Sequence, residues 1–198
     1  MEEQETTQKK PAFKAVMQKR FTAKRLALMA VFVALSYVVS FLEIPMPLFG
    51  ASFLKLDFGN VFIVLISFLL GPVEGVIVCL LKESLRLLSS SSGGAGEIAN
   101  FLVTSSFLLL PSIVYCFRKG FATVLITLSA ACLIATGAAL LANRWIVFPF
   151  YFDAGAGAMF EKFWEALLVF NLIKTVAIGG LTVLLYKRLS NFLKKMKI

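Results

Sequence analysis

Seven polar side chains stand in otherwise apolar stretches of the chain: Lys82, Glu83, Arg86, Glu97, Asn100, Asn171 and Lys174. Carboxylates, amides and ammonium groups of this kind can hold a polar ligand or pair with one another, and both uses are chemically passive. Glu97 and Asn100 are three residues apart, as are Asn171 and Lys174, so on helices each pair shares a face. Two polar faces can therefore converge on one cavity. Lys82, Glu83 and Arg86 also suit a plainer role near an interface, where they snorkel or form a local ion pair. Lys174 lies too deep for that and is read either as a ligand contact or as half of an internal salt bridge.

Other chemistry finds little support. There is no histidine in the 198 residues, which removes an imidazole base, a histidine-containing triad and histidine metal ligands. An enzyme would need a carboxylate pair or an activated Cys or Ser, and no spacing singles one out. Cys79, Cys116 and Cys132 all sit in apolar runs and read as small core residues. Gly94 to Ala99 fits G-x-G-x-x-G/A letter by letter, yet it follows a serine run and opens an apolar helix, so a dinucleotide site is not expected. What survives is physical: glycines allow close approach, and free N–H groups at a helix start can hold a polar atom. No G-x-x-x-x-G-K-[ST] run occurs, so the chain is not expected to hydrolyse ATP itself.

The elements that position these residues follow from hydropathy. The chain is 59% apolar and 16% charged, with a mean hydropathy of +0.87, far from the average soluble domain. Six apolar runs predict an all-α integral membrane bundle of six transmembrane helices. They are Lys24 to Leu42; Asn60 to Leu70, or from near Phe53; Val73 to Leu88; Glu97 to Phe117, with a kink expected at Pro111; Phe121 to Phe148; and Phe163 to Tyr186. Lys174 falls eleven residues into the last, deep at about 1.5 Å per residue. The first run is read as a retained helix, not a signal peptide.

Three regions result: a polar tail over 1–23, the membrane domain over 24–189, and a basic tail over 190–198. Leu189, Phe192, Leu193 and Met196 between lysines suggest an amphipathic extension. The formal charge of +9 could suggest a nucleic-acid partner until the cations are sorted. Seven lie in the N-terminal segment to Arg25, two are Arg118 and Lys119, and five follow Tyr186. With six spans these fourteen share one side, which the positive-inside rule makes cytoplasmic together with both termini. Anionic lipid, not nucleic acid, is the expected counterpart of this charge.

The first loop on the other side, Glu43 to Gly59, mixes Phe49, Phe53, Leu54 and Phe58 with Lys55 and Asp57. It suits either a cap over an aromatic ligand or an interfacial aromatic belt. Ala23, Ala27, Ala30 and Ala34 give small-x-x-x-small spacing twice, open either to a partner helix or to internal packing.

In combination, Phe53-Leu-Lys-Leu-Asp-Phe-Gly59, Gly71-Pro72, Gly96-Glu97-Ile-Ala-Asn100-Phe101 and Phe170-Asn171-Leu-Ile-Lys174 resemble the riboflavin-binding S components of energy-coupling factor (ECF) vitamin transporters. The resemblance covers about Lys24 to Leu189. It implies a six-helix bundle in a prokaryotic cell membrane that binds one riboflavin, as transported ligand and not cofactor, beneath the first outer loop. It also implies that Glu97, Asn171 and Lys174 contribute to the site, with Asn100, Leu54 and Lys55 beside them. Ala30 and Ala34 would pack on a transmembrane coupling subunit, itself joined to two ATPase subunits. Other readings of the residues are an S component for folate, thiamine or a pantothenate-like compound, and a stand-alone secondary transporter, although no inverted repeat is visible.

Overall fold

The computed structural model describes residues 22–51, 53–90 and 93–195. Along the chain it contains α1 (Ala23–Val39), β1 (Ile44–Pro45), β2 (Lys55–Leu56), α2 (Asn60–Leu70), α3 (Pro72–Leu87), α4 (Ala95–Phe117) and α5 (Phe121–Ala142). A π-helical turn (Asn143–Val147), α6 (Phe148–Phe152), a 3-10 turn (Asp153–Gly155) and α7 (Ala156–Lys195) complete it. Most of the polar N-terminal tail, and Met196 of the expected amphipathic extension, lie outside the described residues.

The bundle is organised around α2, which packs against α1, α3, α4 and α7. Apart from Asn60 and Ser67 its sequence is apolar on every side, so it has no face to give to solvent, and nine of its eleven residues are buried. At about 16 Å it covers only about half of a bilayer core. The loop before it therefore descends into the bundle, carrying buried Leu54, Leu56 and Asp57. The descent needs Gly59: a Cβ there would collide with the Ser36 backbone carbonyl, while the Ser36 hydroxyl donates to the Gly59 carbonyl at 2.8 Å. Gly71, at φ +127°, makes the reversal from α2 into α3, and Pro72 occupies the first turn of α3, where its missing N–H costs nothing.

Above this descent, β1 and β2 pair antiparallel with Ile44 opposite Leu56 and Pro45 opposite Lys55. The hairpin covers one end of the bundle, together with α6. At the opposite end, Arg25 reaches Glu74 at 3.4 Å and the Leu70 carbonyl at 3.1 Å, clamping α1 to the α2–α3 turn. Phe68, Tyr115 and Tyr186 form an edge-on ring cluster there.

Several bulky apolar side chains point outward, among them Val31, Ile126, Leu133, Trp145 and Leu184, each more than half exposed. Such a surface suits lipid, not water. Ala95–Phe117 and the stretch Phe121–Tyr186 are long and apolar enough to cross a membrane. The chain is a membrane protein.

The structure adjusts several expected boundaries. The first helix ends at Val39, not Leu42, and residues 53–59 form a strand and turn instead of extending α2. The fifth run ends its α-helical part at Ala142 and passes into the π turn. The last helix starts at Ala156, seven residues before Phe163, and runs through position 189 to Lys195. α4 is continuous through Pro111. Cys79 and Cys132 are buried as expected, but Cys116 is exposed; near the end of α4 its side chain faces outward, not into the core.

Candidate functional site

A cavity of about 620 Å³ lies at the hairpin end. Its floor is a charged network centred on Lys82, whose side chain has 0% exposure. The ammonium donates to Asp57 Oδ2 at 2.5 Å, Glu83 Oε1 at 2.8 Å and Asn60 Oδ1 at 3.3 Å. Asp57 uses its other oxygen to accept the Gly59 N–H at 2.7 Å, which ties the base of the hairpin to the start of α2. Without these partners a buried ammonium would be prohibitively costly. The expectation that Lys82 snorkels is thus overturned, while the ion-pair alternative holds.

Asn100 extends the network across the bundle. Its Nδ2 donates to Glu83 Oε1 at 2.5 Å, and its Oδ1 accepts from Lys174 Nζ at 2.7 Å and Asn60 Nδ2 at 3.1 Å. Every neighbour agrees on which end of the amide is oxygen. Two acids, Asp57 and Glu83, face two amines, Lys82 and Lys174, so the formal charges of the floor cancel. Lys174 is only 8% exposed, and its amino group donates to an amide carbonyl on another helix.

The rim carries a second cluster. Glu43 accepts from Lys55 at 2.8 Å on Oε1 and from Arg86 at 3.1 Å on Oε2. Arg86 also donates to the Ser40 carbonyl at 3.3 Å and lies over the Phe41 ring. Gly96 and Glu97, from the first turn of α4, complete the polar lining.

The remaining wall is apolar. Phe53 meets Phe148 and Phe163 edge-on, with ring centres 6.3 and 5.7 Å apart, joining the hairpin to α6 and α7. Val147, Phe148, Tyr151 and Phe152 reach this wall because the π turn inserts extra rotation at the end of α5. Asn143 supports the turn by donating to the Ala139 carbonyl at 2.8 Å.

Of the residues expected at a site, Lys55, Glu97, Asn100 and Lys174 line the cavity. Two others stand behind it. Leu54 is buried in a cluster with Phe148, Phe163, Leu167 and Phe170, and Asn171 donates to the Leu167 carbonyl of its own helix at 2.8 Å. Three helix positions leave a rotation of about 60° between Asn171 and Lys174, enough to separate their roles. Ala23, Ala27, Ala30 and Ala34 are all exposed, so internal packing does not explain their spacing.

Sequence reasoning missed Glu43, Asn60 and the α6 aromatics as lining or supporting groups. The signal for α6 was Phe148-Pro-Phe-Tyr-Phe152, a dense aromatic run beyond the end of a span. Asp57 had a weaker signal, a lone acid among Leu54, Leu56 and Phe58.

An apolar bundle with a cavity under a hairpin at one end, aromatic on its wall and charged on its floor, suits a membrane substrate-binding component. Residues 24–186 match the family described as ECF transporter, substrate-specific component, and the chain belongs to that family. It is 33% identical over 178 residues to the riboflavin transporter RibU of Staphylococcus aureus (strain TCH60), an alignment covering 87% of this chain and 94% of that one. It is also 24% identical over 186 residues to the riboflavin transporter FmnP of Bacillus subtilis (strain 168), covering 88% and 96% respectively. A solved S component of a bacterial ECF transporter superposes with a TM-score of 0.75 at 33% identity, covering 86% of this chain and 98% of that structure. The family is one of substrate-binding components, not of enzymes.

Proposed function

We propose that this chain captures riboflavin at the outer face of the cell membrane and presents it to an ECF coupling module for ATP-driven uptake. The observation that carries the reading is the cavity itself: an aromatic wall facing a neutral floor of amide, carboxylate and ammonium groups. Riboflavin needs both. Its flat tricycle packs on Phe53, Phe148, Tyr151 and Phe152, and its uracil-like edge and ribityl hydroxyls exchange hydrogen bonds with Asn100, Lys174, Glu97 and Lys55. A volume of about 620 Å³ falls in the range that buries a ligand of this size. Leu54 and Asn171 act from behind, holding the wall and α7.

In this reading six helices, α1–α5 and α7, make six passes through the membrane, the short α2 completing its pass with the loop that descends before it, and both termini are cytoplasmic, so the hairpin end faces outward. Six passes would put the fourteen cations of the N-terminal segment, the α4–α5 connection and the C-terminal end on one side, which supports that orientation. Ala30 and Ala34, exposed on α1, contact the transmembrane coupling subunit, which connects to two ATPase subunits. Riboflavin is cargo and leaves chemically unchanged.

The test is titration of the purified protein with riboflavin, followed by quenching of flavin fluorescence. Saturable binding is expected, and Lys174→Met should weaken it by about 10- to 100-fold, the cost of leaving a buried acceptor unmatched. A folded preparation that never binds riboflavin overturns the proposal, and saturable binding of folate or thiamine in its place redirects it.

A further inference from the structure

We infer that Glu43 makes the site selective for an uncharged flavin over its 5′-phosphate ester, by occupying the place where a ligand phosphate would bind. The inference rests on the riboflavin reading above. Lys55 and Arg86 approach one another at the rim from different elements, the hairpin and α3, and could together grip an anion. A carboxylate of the protein already does so, one oxygen to each cation, at 2.8 and 3.1 Å. Its geometry imitates the bridging contacts that a phosphate makes with two cations.

No other lining cation offers an easier seat. Lys174 donates to Asn100, whose amide nitrogen is bound to Glu83, so an anion beside Lys174 also approaches a carboxylate. Lys82 is buried between Asp57 and Glu83. Counting Lys82, the four bases around the cavity, Lys55, Lys82, Arg86 and Lys174, balance the four acids, Glu43, Asp57, Glu83 and Glu97. A neutral ligand leaves that balance intact. A phosphate brings a charge of nearly −2 at neutral pH and must displace Glu43 or remain uncompensated.

The arrangement is also adjustable. Lys55 is about half exposed and Arg86 is partly so, so neutralising Glu43 leaves two solvent-accessible cations at the rim without burying them alone. Glu43→Gln should therefore turn the rim into an anion seat. If a bound dianion pushes the Glu43 carboxylate aside to about 7 Å, removing that one negative charge favours the dianion by about sevenfold even at the dielectric of water.

The experiment measures dissociation constants for riboflavin and for riboflavin 5′-phosphate on the full chain, in wild type, Glu43→Gln, Glu43→Ala and Lys55→Glu. Wild type is expected to prefer riboflavin. The ratio of the phosphate's dissociation constant to riboflavin's should fall by about sevenfold or more in Glu43→Gln and Glu43→Ala, and rise in Lys55→Glu. Glu43→Ala and Lys55→Glu keep the test decisive should Glu43→Gln fold poorly. A ratio unchanged by these substitutions, or a wild type that binds both flavins equally, overturns the inference while leaving the riboflavin reading standing. Failure of wild type to bind riboflavin overturns the riboflavin reading first, and this inference with it.

Discussion

Replacing Lys82 with methionine keeps most of the side-chain volume and removes the charge at the centre of the cavity floor. Asp57 and Glu83 then face each other with side-chain exposures of 10% and 6% and no ammonium between them. Breaking one partner out of a buried ion pair costs about 3–5 kcal/mol. The loss is not spread evenly over the fold. Asp57 immediately follows β2 and fixes the base of the hairpin, and Glu83 orients the amide of Asn100. If about 2 kcal/mol of the cost falls on the arrangement that receives ligand, the competent fraction drops about 30-fold and the apparent dissociation constant rises equally.

Fluorescence titration with riboflavin, run beside thermal unfolding in the same detergent, reads both parts. Lys82→Met should bind about 30-fold more weakly and melt at a lower temperature. Asp57→Asn combined with Lys82→Met removes one stranded carboxylate, so the double variant should be less impaired than the sum of its singles. A Lys82→Met protein with wild-type affinity and melting temperature would refute the view that this ammonium organises the site. Strict additivity in the double variant would show that Asp57 and Lys82 do not act together.

Gly59→Ala should lower the melting temperature by an amount equivalent to about 1–3 kcal/mol, because the new methyl meets the Ser36 backbone, which cannot rotate away; Gly137→Ala, with open space around it, should leave the melting temperature unchanged or raise it. Ala34→Leu should abolish riboflavin uptake by cells that carry the coupling module while purified protein binds riboflavin as before; loss of binding would assign Ala34 to the bundle's own packing.

The helices were legible because their apolar runs are long and their ends carry strong punctuation, such as Gly71-Pro72 and Arg118-Lys119-Gly120. The convergence of two polar faces was legible too: three-residue spacing brought Asn100 and Lys174 forward, and they meet although 74 positions apart. The hairpin was not. Two-residue strands have no alternation to detect, and their pairing depends on the loop packing over the cavity. The π turn has no sequence signature, so the start of α7 and the aromatics of α6 were missed together. The ion pair of Lys82 was legible but its burial was not, because that burial depends on Asp57, which comes from a loop 25 positions earlier.

The geometry of α1 explains why binding and coupling can be separated in the Ala34 experiment. Arg86 holds its hairpin end through the Ser40 carbonyl, and Arg25 holds its other end against Glu74 and Leu70. The residues that contact the cavity's rim, Phe41 and Glu43, lie beyond the helix end, while Ala23, Ala27, Ala30 and Ala34 sit exposed along its length. A bulky residue at Ala34 therefore adds volume outside the bundle, where it meets neither Lys82 nor Asn100. The floor network draws instead on the loop before α2 and on α2, α3, α4 and α7, so it keeps its geometry when the α1 surface changes. Riboflavin affinity should then report on the network and uptake on the alanine face, two readouts of one short chain that fail independently.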